Sequence, residues 1–299
     1  MESSHRLHSF DVLRAVAALL VVFYHLDVII GLGFSVTKVW GTVGVGIFFI
    51  ISGYLIFSSF QNNLNMHGLR GGLYKYLVNR FFRIIPAYYF NFAMLLLIVP
   101  FVITYYPFVF SGEFLKQIIA HVSFSAYLIY KDNGFGLNGS YWTLSIEMLW
   151  YIIVPLLVIF FNSRVKLTIL FILSFGYLAA LDLGYLDFYI NWIKPDPQFN
   201  VSYESMVGYM AHQLPGQFIF FIAGIGFLKL APRFNFMFHY ASKRVVRLAA
   251  TAIVFSLLYL SSFIQYDNIF IFYAKILVGC FHSIVLFLRR AMACVSMAR

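Results

Sequence analysis

The chain has 299 residues, of which 62% are hydrophobic, 20% aromatic and only 11% charged, against roughly a quarter charged in an average soluble domain. A water-soluble core of that size cannot hide so much apolar side chain, whereas a bilayer removes the need, because about 20 apolar residues make one crossing. Composition thus excludes a soluble globule and predicts an all-α, polytopic transmembrane helix bundle.

In chain order, the leader 1–9 is short, and the apolar stretch that follows, 10–30, contains Asp11, Arg14, His25 and Asp27. The apolar part of a cleavable signal avoids such groups, so 10–30 reads as a retained first helix. Further stretches of spanning length run over 40–60, 84–105, 141–161, 167–183, 214–230, 245–263 and 269–288, which makes about eight spanning helices. A further stretch, 118–130, contains His121 and at about 13 residues is short for a crossing, so it reads as a re-entrant or half-inserted segment.

Parity and charge support that count. With the N-terminus cytoplasmic, the inner segments hold Arg6, then Arg70, Lys75, Arg80 and Arg83, then Arg164 and Lys166, then Lys229, Arg233, Lys243, Arg244 and Arg247, and finally Arg289, Arg290 and Arg299. Only Lys38, Lys116, Lys131 and Lys194 fall outside, which obeys the positive-inside rule. The net charge of +10 is then mostly a cytoplasmic face suited to anionic membrane lipid or a polyphosphate ligand, and nucleic acid is not an expected partner. The longest outer segment, 184–213, carries Asp187, Asp196 and Glu204 among Tyr185, Tyr189, Trp192, Tyr203 and Tyr209. That mixture is either an interfacial aromatic belt or a platform for a sugar. No internal repeat is visible, and residues 1–299 read as a single domain.

Several chemistries drop out. Cys280 and Cys294 have no CxxC or paired spacing, so neither a disulfide framework nor a zinc knuckle is expected. Gly41, Gly44, Gly46 and Gly53 lack the Lys and Ser/Thr of a phosphate loop and read as sites of close helix packing. No GxSxG, HExxH or carboxylate-rich metal motif occurs, which argues against a serine hydrolase and against a metal.

Charged groups inside an apolar span are expensive and by default mark function. Arg14 and His25 are eleven residues apart, three turns plus roughly 20°, so both lie on one helix face about 16 Å apart along the axis. Ala18 and Val21 lie between them on that stripe and leave room for a slender ligand. An imidazole near neutral pH can accept a proton from a hydroxyl nucleophile, and a guanidinium suits a phosphate or carboxylate. The blander alternative has Arg14 snorkelling to the interface and His25 as a bundle histidine. Asp11, three residues before Arg14, either orients it or neutralises it.

Glu147 lies about six residues into a span that enters from outside, at a depth close to that of His25. It reads as catalytic or histidine-orienting, or else as half of a structural pair with Lys275 or an arginine. Arg80 and Arg83, at i and i+3 in NRFFRIIPAYY, share one face at the inner membrane surface and suit a diphosphate, the alternative being ordinary positive-inside anchoring.

These segments also resemble a known family. FDVLRAVAALLVVFYH, with Arg14, ten intervening residues and His25, is similar to the Arg/Lys-x10-His motif of membrane acyltransferase family 3, the family of bacterial O-antigen, exopolysaccharide and Nod-factor O-acetyltransferases. GVGIFFIISGYLIF, NRFFRIIPAYY and SYWTLSIEMLWYIIVP follow in order and resemble that family's FF-ISG, RxxRIxPxY and WSLxxE-xxY-xxP blocks.

The resemblance implies an enzyme of the bacterial cytoplasmic membrane that moves an acyl group from acetyl-CoA, or another acyl-CoA, to a hydroxyl of a carbohydrate on the outer side. His25 and Glu147 would be catalytic, and Arg14, Arg80 and Arg83 would bind the CoA donor. Asp11 and Trp142 would contact substrate. Family members commonly have about ten spans, and the tail RRAMACVSMAR reads as clipped, which leaves an inactive sugar-binding relative as an alternative. A proton-coupled transporter with an Arg/His/Glu relay is the reading from another class.

Overall fold

In a bilayer each spanning segment must satisfy its own backbone, and a helix does so without outside partners. The computed structural model describes residues 2–31, 33, 35–102, 112–127, 139–193, 203–230, 273 and 276–277, and every regular element among them is helical. In order these are α1 (Glu2–Ile30), α2 (Ser35–Val102), α3 (Gly112–Val122), a single 3-10 turn (Gly139–Tyr141), α4 (Trp142–Phe160), α5 (Arg164–Asp182), α6 (Asp187–Ile193), α7 (Tyr203–His212) and α8 (Leu214–Leu230).

Five stretches among the described residues are long and apolar enough to cross a membrane: Leu13–Ile30, Val39–Leu97, Trp142–Phe160, Arg164–Asp182 and Met206–Lys229. The protein is an all-α integral membrane protein. The expected span 40–60 and residues 84–102 of the expected span 84–105 fall on α2, whereas 103–105, the expected span 245–263 and all of 269–288 but residues 273 and 276–277 lie outside the described residues.

The chain divides into two compact units, one made of Met1–Leu55, Ser163–Tyr185 and Pro215–Arg299, the other of Ile56–Asn162 and Leu186–Leu214. In the first, α1 packs antiparallel on the start of α2. Phe10 meets Tyr54 at one end (ring centroids 5.0 Å apart) and Phe23 meets Trp40 at the other (6.4 Å). Glycine makes the approach possible, since a Cβ added at Gly44 would sit 2.6 Å from the Ala17 carbonyl oxygen and one at Gly41 would sit 2.7 Å from the Tyr24 ring.

The buried stripe of α1, Phe10, Leu13, Ala17 and Asp27, recurs at helical spacing, while Leu19, Val22, Phe23, Leu26 and Ile29 are exposed as a lipid-facing surface requires. Asp27 accepts a hydrogen bond from the Thr37 hydroxyl, tying the end of α1 to the start of α2.

On its other side the same part of α2 meets α8 through two reciprocal glycines. Gly53 lies against the Phe221 carbonyl and Gly224 against the Ile50 carbonyl, each too close for a Cβ. This is the small-residue contact that lets helix backbones touch in a bilayer, and it answers to the close packing expected of Gly41, Gly44 and Gly53. α5 begins at Ser163, whose hydroxyl caps the Lys166 N–H. It joins α8 through Ser174, which donates to the Pro215 carbonyl at 2.8 Å.

The second unit is built around a reversal inside α2. At Gly68 the backbone has φ 67° and ψ −175°, a region open essentially to glycine alone. The chain folds back there, because Phe60 and Tyr76, eight residues to either side, are in ring contact at 5.1 Å. A straight helix would hold them about 24 Å apart. A Cβ at Gly72 would fall 2.8 Å from the Asn63 carbonyl oxygen, so the arms run in contact from the turn onward.

The short segment that the sequence reading leaves half-inserted is helical only to Val122. The chain then turns through 123–127, and 128–130 lie outside the described residues. α3 is fastened by its last carbonyls, since the Tyr88 hydroxyl donates to His121 O at 2.9 Å and the Tyr89 hydroxyl to Val122 O at 2.7 Å. The His121 ring stacks on Phe92 (5.2 Å, 3° between planes), and its Nδ1–H donates to the Gln117 carbonyl at 2.7 Å. The outer segment read as a loop contains α6 and α7, with Tyr185 and Trp192 exposed and Tyr209 buried.

Candidate functional site

In the first unit, Arg14 and His25 lie on one uninterrupted helix, so the eleven-residue spacing becomes a shared stripe with Ala18 and Val21. The stripe borders the seam with α2. Val21 packs toward Gly44, Ala18 is exposed, and Arg14 and His25 are half-buried. Arg14 Nη1 pairs with Asp11 Oδ1 at 3.2 Å. That carboxylate is 65% exposed, so the pair itself contributes little. The His25 ring lies beside Tyr24 at 5.1 Å.

In the second unit the other candidates gather on α4 and the return arm of α2. Glu147 and Tyr151, one turn apart on α4, are joined by a hydrogen bond from the Tyr151 hydroxyl to Glu147 Oε1 at 2.8 Å. Pro155 lies four residues beyond Tyr151 and has no N–H, so the helix provides no donor for the Tyr151 carbonyl. Tyr76 provides one instead, its hydroxyl donating to Tyr151 O at 3.0 Å.

Arg80, one turn after Tyr76, lies over both rings, its guanidinium carbon 5.7 Å from the Tyr76 centroid and 5.6 Å from the Tyr151 centroid. These are cation–π distances. Its Nε is buried and, among the described residues, has no hydrogen-bond acceptor. Arg83, one turn further on, is exposed.

This corrects the depths read from sequence. Arg80 was expected at the membrane surface and Glu147 well away from it, near the other face. In the structure both contact the Tyr151 side chain. The reason lies in the Gly68 turn: residues 69–80 are already helix, so Arg80 stands about 18 Å up the return arm rather than at its start. Of the alternatives for Glu147, an arginine neighbour is present, bridged by a tyrosine; Lys275 lies outside the described residues.

Trp142 opens α4 and sits in a separate aromatic group of the same unit, 5.7 Å from Tyr127 and edge-on to His212 at 4.8 Å. The Tyr127 carbonyl accepts from the Tyr209 hydroxyl at 2.7 Å and from Gln213 Nε2 at 3.1 Å. Sequence reasoning assigned no role to Tyr76, Tyr151, Pro155 and His212. The spacing of Glu147, Tyr151 and Pro155 at successive fours was the available signal, because it puts an acid, a ring and a missing N–H on one helix face.

A buried arginine Nε lacking an acceptor, with tyrosine rings behind it, fits an anionic oxygen such as that of a phosphate.

Comparison with known proteins bears on the whole chain. The acyltransferase 3 family model, described as an acyltransferase domain, matches residues 7–292. Peptidoglycan O-acetyltransferase OatA of Listeria monocytogenes is 30% identical over 194 residues, covering 58% of this chain and 28% of that protein. Nodulation protein 10 of Rhizobium leguminosarum bv. viciae is 30% identical over 172 residues, covering 52% of this chain and 45% of that protein. The chain thus spans less than half the length of either relative. No solved structure matches it.

Proposed function

Since the chain belongs to the acyltransferase 3 family, we propose that it is a membrane O-acyltransferase that moves an acetyl group from acetyl-CoA, or another acyl group from its CoA thioester, to a hydroxyl of an extracytoplasmic carbohydrate. The observation that supports this reading most is the placement of Arg14 and His25 on one stripe of an unbroken α1 within the family match. The name of the Listeria relative supports O-acetylation of a glycan. The acyl-CoA supplies an activated thioester.

The residues of the chain then have separable tasks. His25 accepts the proton of the acceptor hydroxyl as its oxygen attacks the thioester carbonyl; the carbon–sulfur bond breaks and the CoA thiolate takes up a proton. Arg14, Arg80 and Arg83 bind anionic groups of the donor. Trp142 offers an aromatic face to sugar, with Asp11 as a hydrogen-bonding carboxylate. Glu147 serves the Arg80 group through Tyr151. The charge distribution supports a cytoplasmic N-terminus in a bacterial inner membrane.

The test is transfer of radiolabel from acetyl-CoA to peptidoglycan fragments and other glycans by the purified protein. His25→Ala is expected to abolish transfer while the protein still accumulates in the membrane. Transfer at the normal rate by that variant rules the assignment out.

A further inference from the structure

We infer that Tyr76 and Tyr151 are positioning residues that clamp Arg80, and that Glu147 acts through the Tyr151 hydroxyl to hold the clamp shut. The inference rests on the donor-binding reading of Arg80 given above.

The clamp is a connected set of contacts. Pro155 withholds an N–H from the Tyr151 carbonyl, and the Tyr76 hydroxyl fills that position at 3.0 Å, which ties the return arm of α2 to α4. The Tyr151 hydroxyl is fixed in turn by Glu147 at 2.8 Å. Both rings are buried, Tyr76 fully and Tyr151 all but 4%, so neither can swing away without opening a cavity. Arg80 lies nearly equidistant from the two centroids, at 5.7 and 5.6 Å.

The chemistry explains why two rings and a carboxylate are used in place of a direct ion pair. A cation in a low-dielectric setting needs compensation. A carboxylate bonded to the guanidinium would also occupy the N–H groups that an anionic ligand needs. Here the ring faces supply attraction to the cation, and the carboxylate is bonded to tyrosine instead. Among the described residues the buried Nε has no acceptor, which leaves it for a ligand oxygen. An arginine side chain ordered before the ligand arrives also loses less freedom on binding.

The experiment uses the purified full chain in lipid nanodiscs. Acetyl-CoA dissociation constants come from calorimetry, and KM and kcat from transfer to an acceptor glycan. Tyr151→Phe keeps the ring and removes the hydroxyl. It is expected to raise both Kd and KM for acetyl-CoA about threefold to tenfold, with kcat within about twofold.

Glu147→Ala should raise Kd for acetyl-CoA likewise. The double variant should be no worse than the poorer single one, because both changes break one contact. Glu147→Gln, which keeps an acceptor oxygen, should recover donor affinity relative to Glu147→Ala. Pro155→Ala returns an N–H that competes with Tyr76 for the Tyr151 carbonyl, and should also weaken donor binding.

Unchanged Kd in Tyr151→Phe overturns the clamp. So does a Glu147→Gln variant that binds donor normally but loses about a hundredfold or more in kcat, since that is the mark of proton transfer. Failure of the wild-type protein to bind acetyl-CoA overturns the donor-binding reading, and the clamp with it. Normal wild-type binding with indifferent variants overturns the clamp alone.

Discussion

Replacing Gly53 by alanine tests the packing of α2 on α8. The added Cβ would clash with the Phe221 carbonyl oxygen and lie 2.9 Å from both its Cα and its carbonyl carbon, all backbone atoms of a helix that cannot fold aside. Restoring ordinary carbon contacts of about 3.5–4.0 Å requires the two helices to separate, and a gap of 0.5–1 Å forfeits roughly a quarter to a half of each contact along the seam. That seam includes the stacked pair Phe49 and Phe221 at 4.6 Å.

Overpacking of this kind costs about 1–3 kcal/mol. Gly176, in α5, is the matched control, because a Cβ there meets nothing within 4 Å. Gly176→Ala should be neutral or stabilising by up to about 1 kcal/mol through helix propensity alone. The assay is denaturant unfolding of the purified protein in one fixed detergent, followed by tryptophan fluorescence. A Gly53→Ala midpoint equal to wild type, or a Gly176→Ala midpoint lowered as far as that of Gly53→Ala, refutes the reasoning. Adding Gly224→Ala to Gly53→Ala should cost less than the sum of the two, since helices already forced apart leave room for the second methyl.

Three further outcomes are expected. Gly68→Ala should destabilise by about 1–3 kcal/mol for conformational reasons alone, because nothing lies within 4 Å of the new Cβ; an unaltered melting temperature counts against the turn. Arg14→Ala should weaken acetyl-CoA binding measured by calorimetry, and an identical Kd would remove Arg14 from the donor site.

Burial holds the His121 imidazole below its ordinary value of 6.5, with the Gln117 carbonyl acting in the opposite direction. The unfolded chain therefore binds the proton more readily. His121 contributes its stability in full above about pH 6.5 and loses it as the pH falls through the depressed value. A thermal-stability profile between pH 7 and 5 should slope downward toward acid and flatten in His121→Phe; an equal slope in both proteins assigns the effect elsewhere.

The spans were legible where an apolar run alone sets the length. Expected 214–230 coincides with α8, and expected 141–161 differs from α4 by one residue at each end. The polar stretch 61–83 was not legible. Its composition reads as a surface loop, yet it forms helix because Phe60, Asn63, Gly72 and Tyr76 pack across the turn, a gain visible only once both arms are present.

The site divides the same way. The common stripe of Arg14 and His25 follows from 100° per residue. The company that Glu147 keeps does not, because Tyr76 and Tyr151, whose hydroxyl and carbonyl meet, are 75 residues apart in the chain. The mate of a charge inside a bundle is fixed by which helices adjoin, and helical periodicity carries no record of that.

The reversal at Gly68 bears on how the protein reaches its membrane. With no connecting loop, the residues on either side of the turn have their packing partners within one hairpin, so the two arms are built to enter a bilayer as one unit. An epitope tag or fluorescent fusion spliced at that tip would lengthen the link and shift one arm against the other, so the bend is a poor place for such a label even though it is exposed.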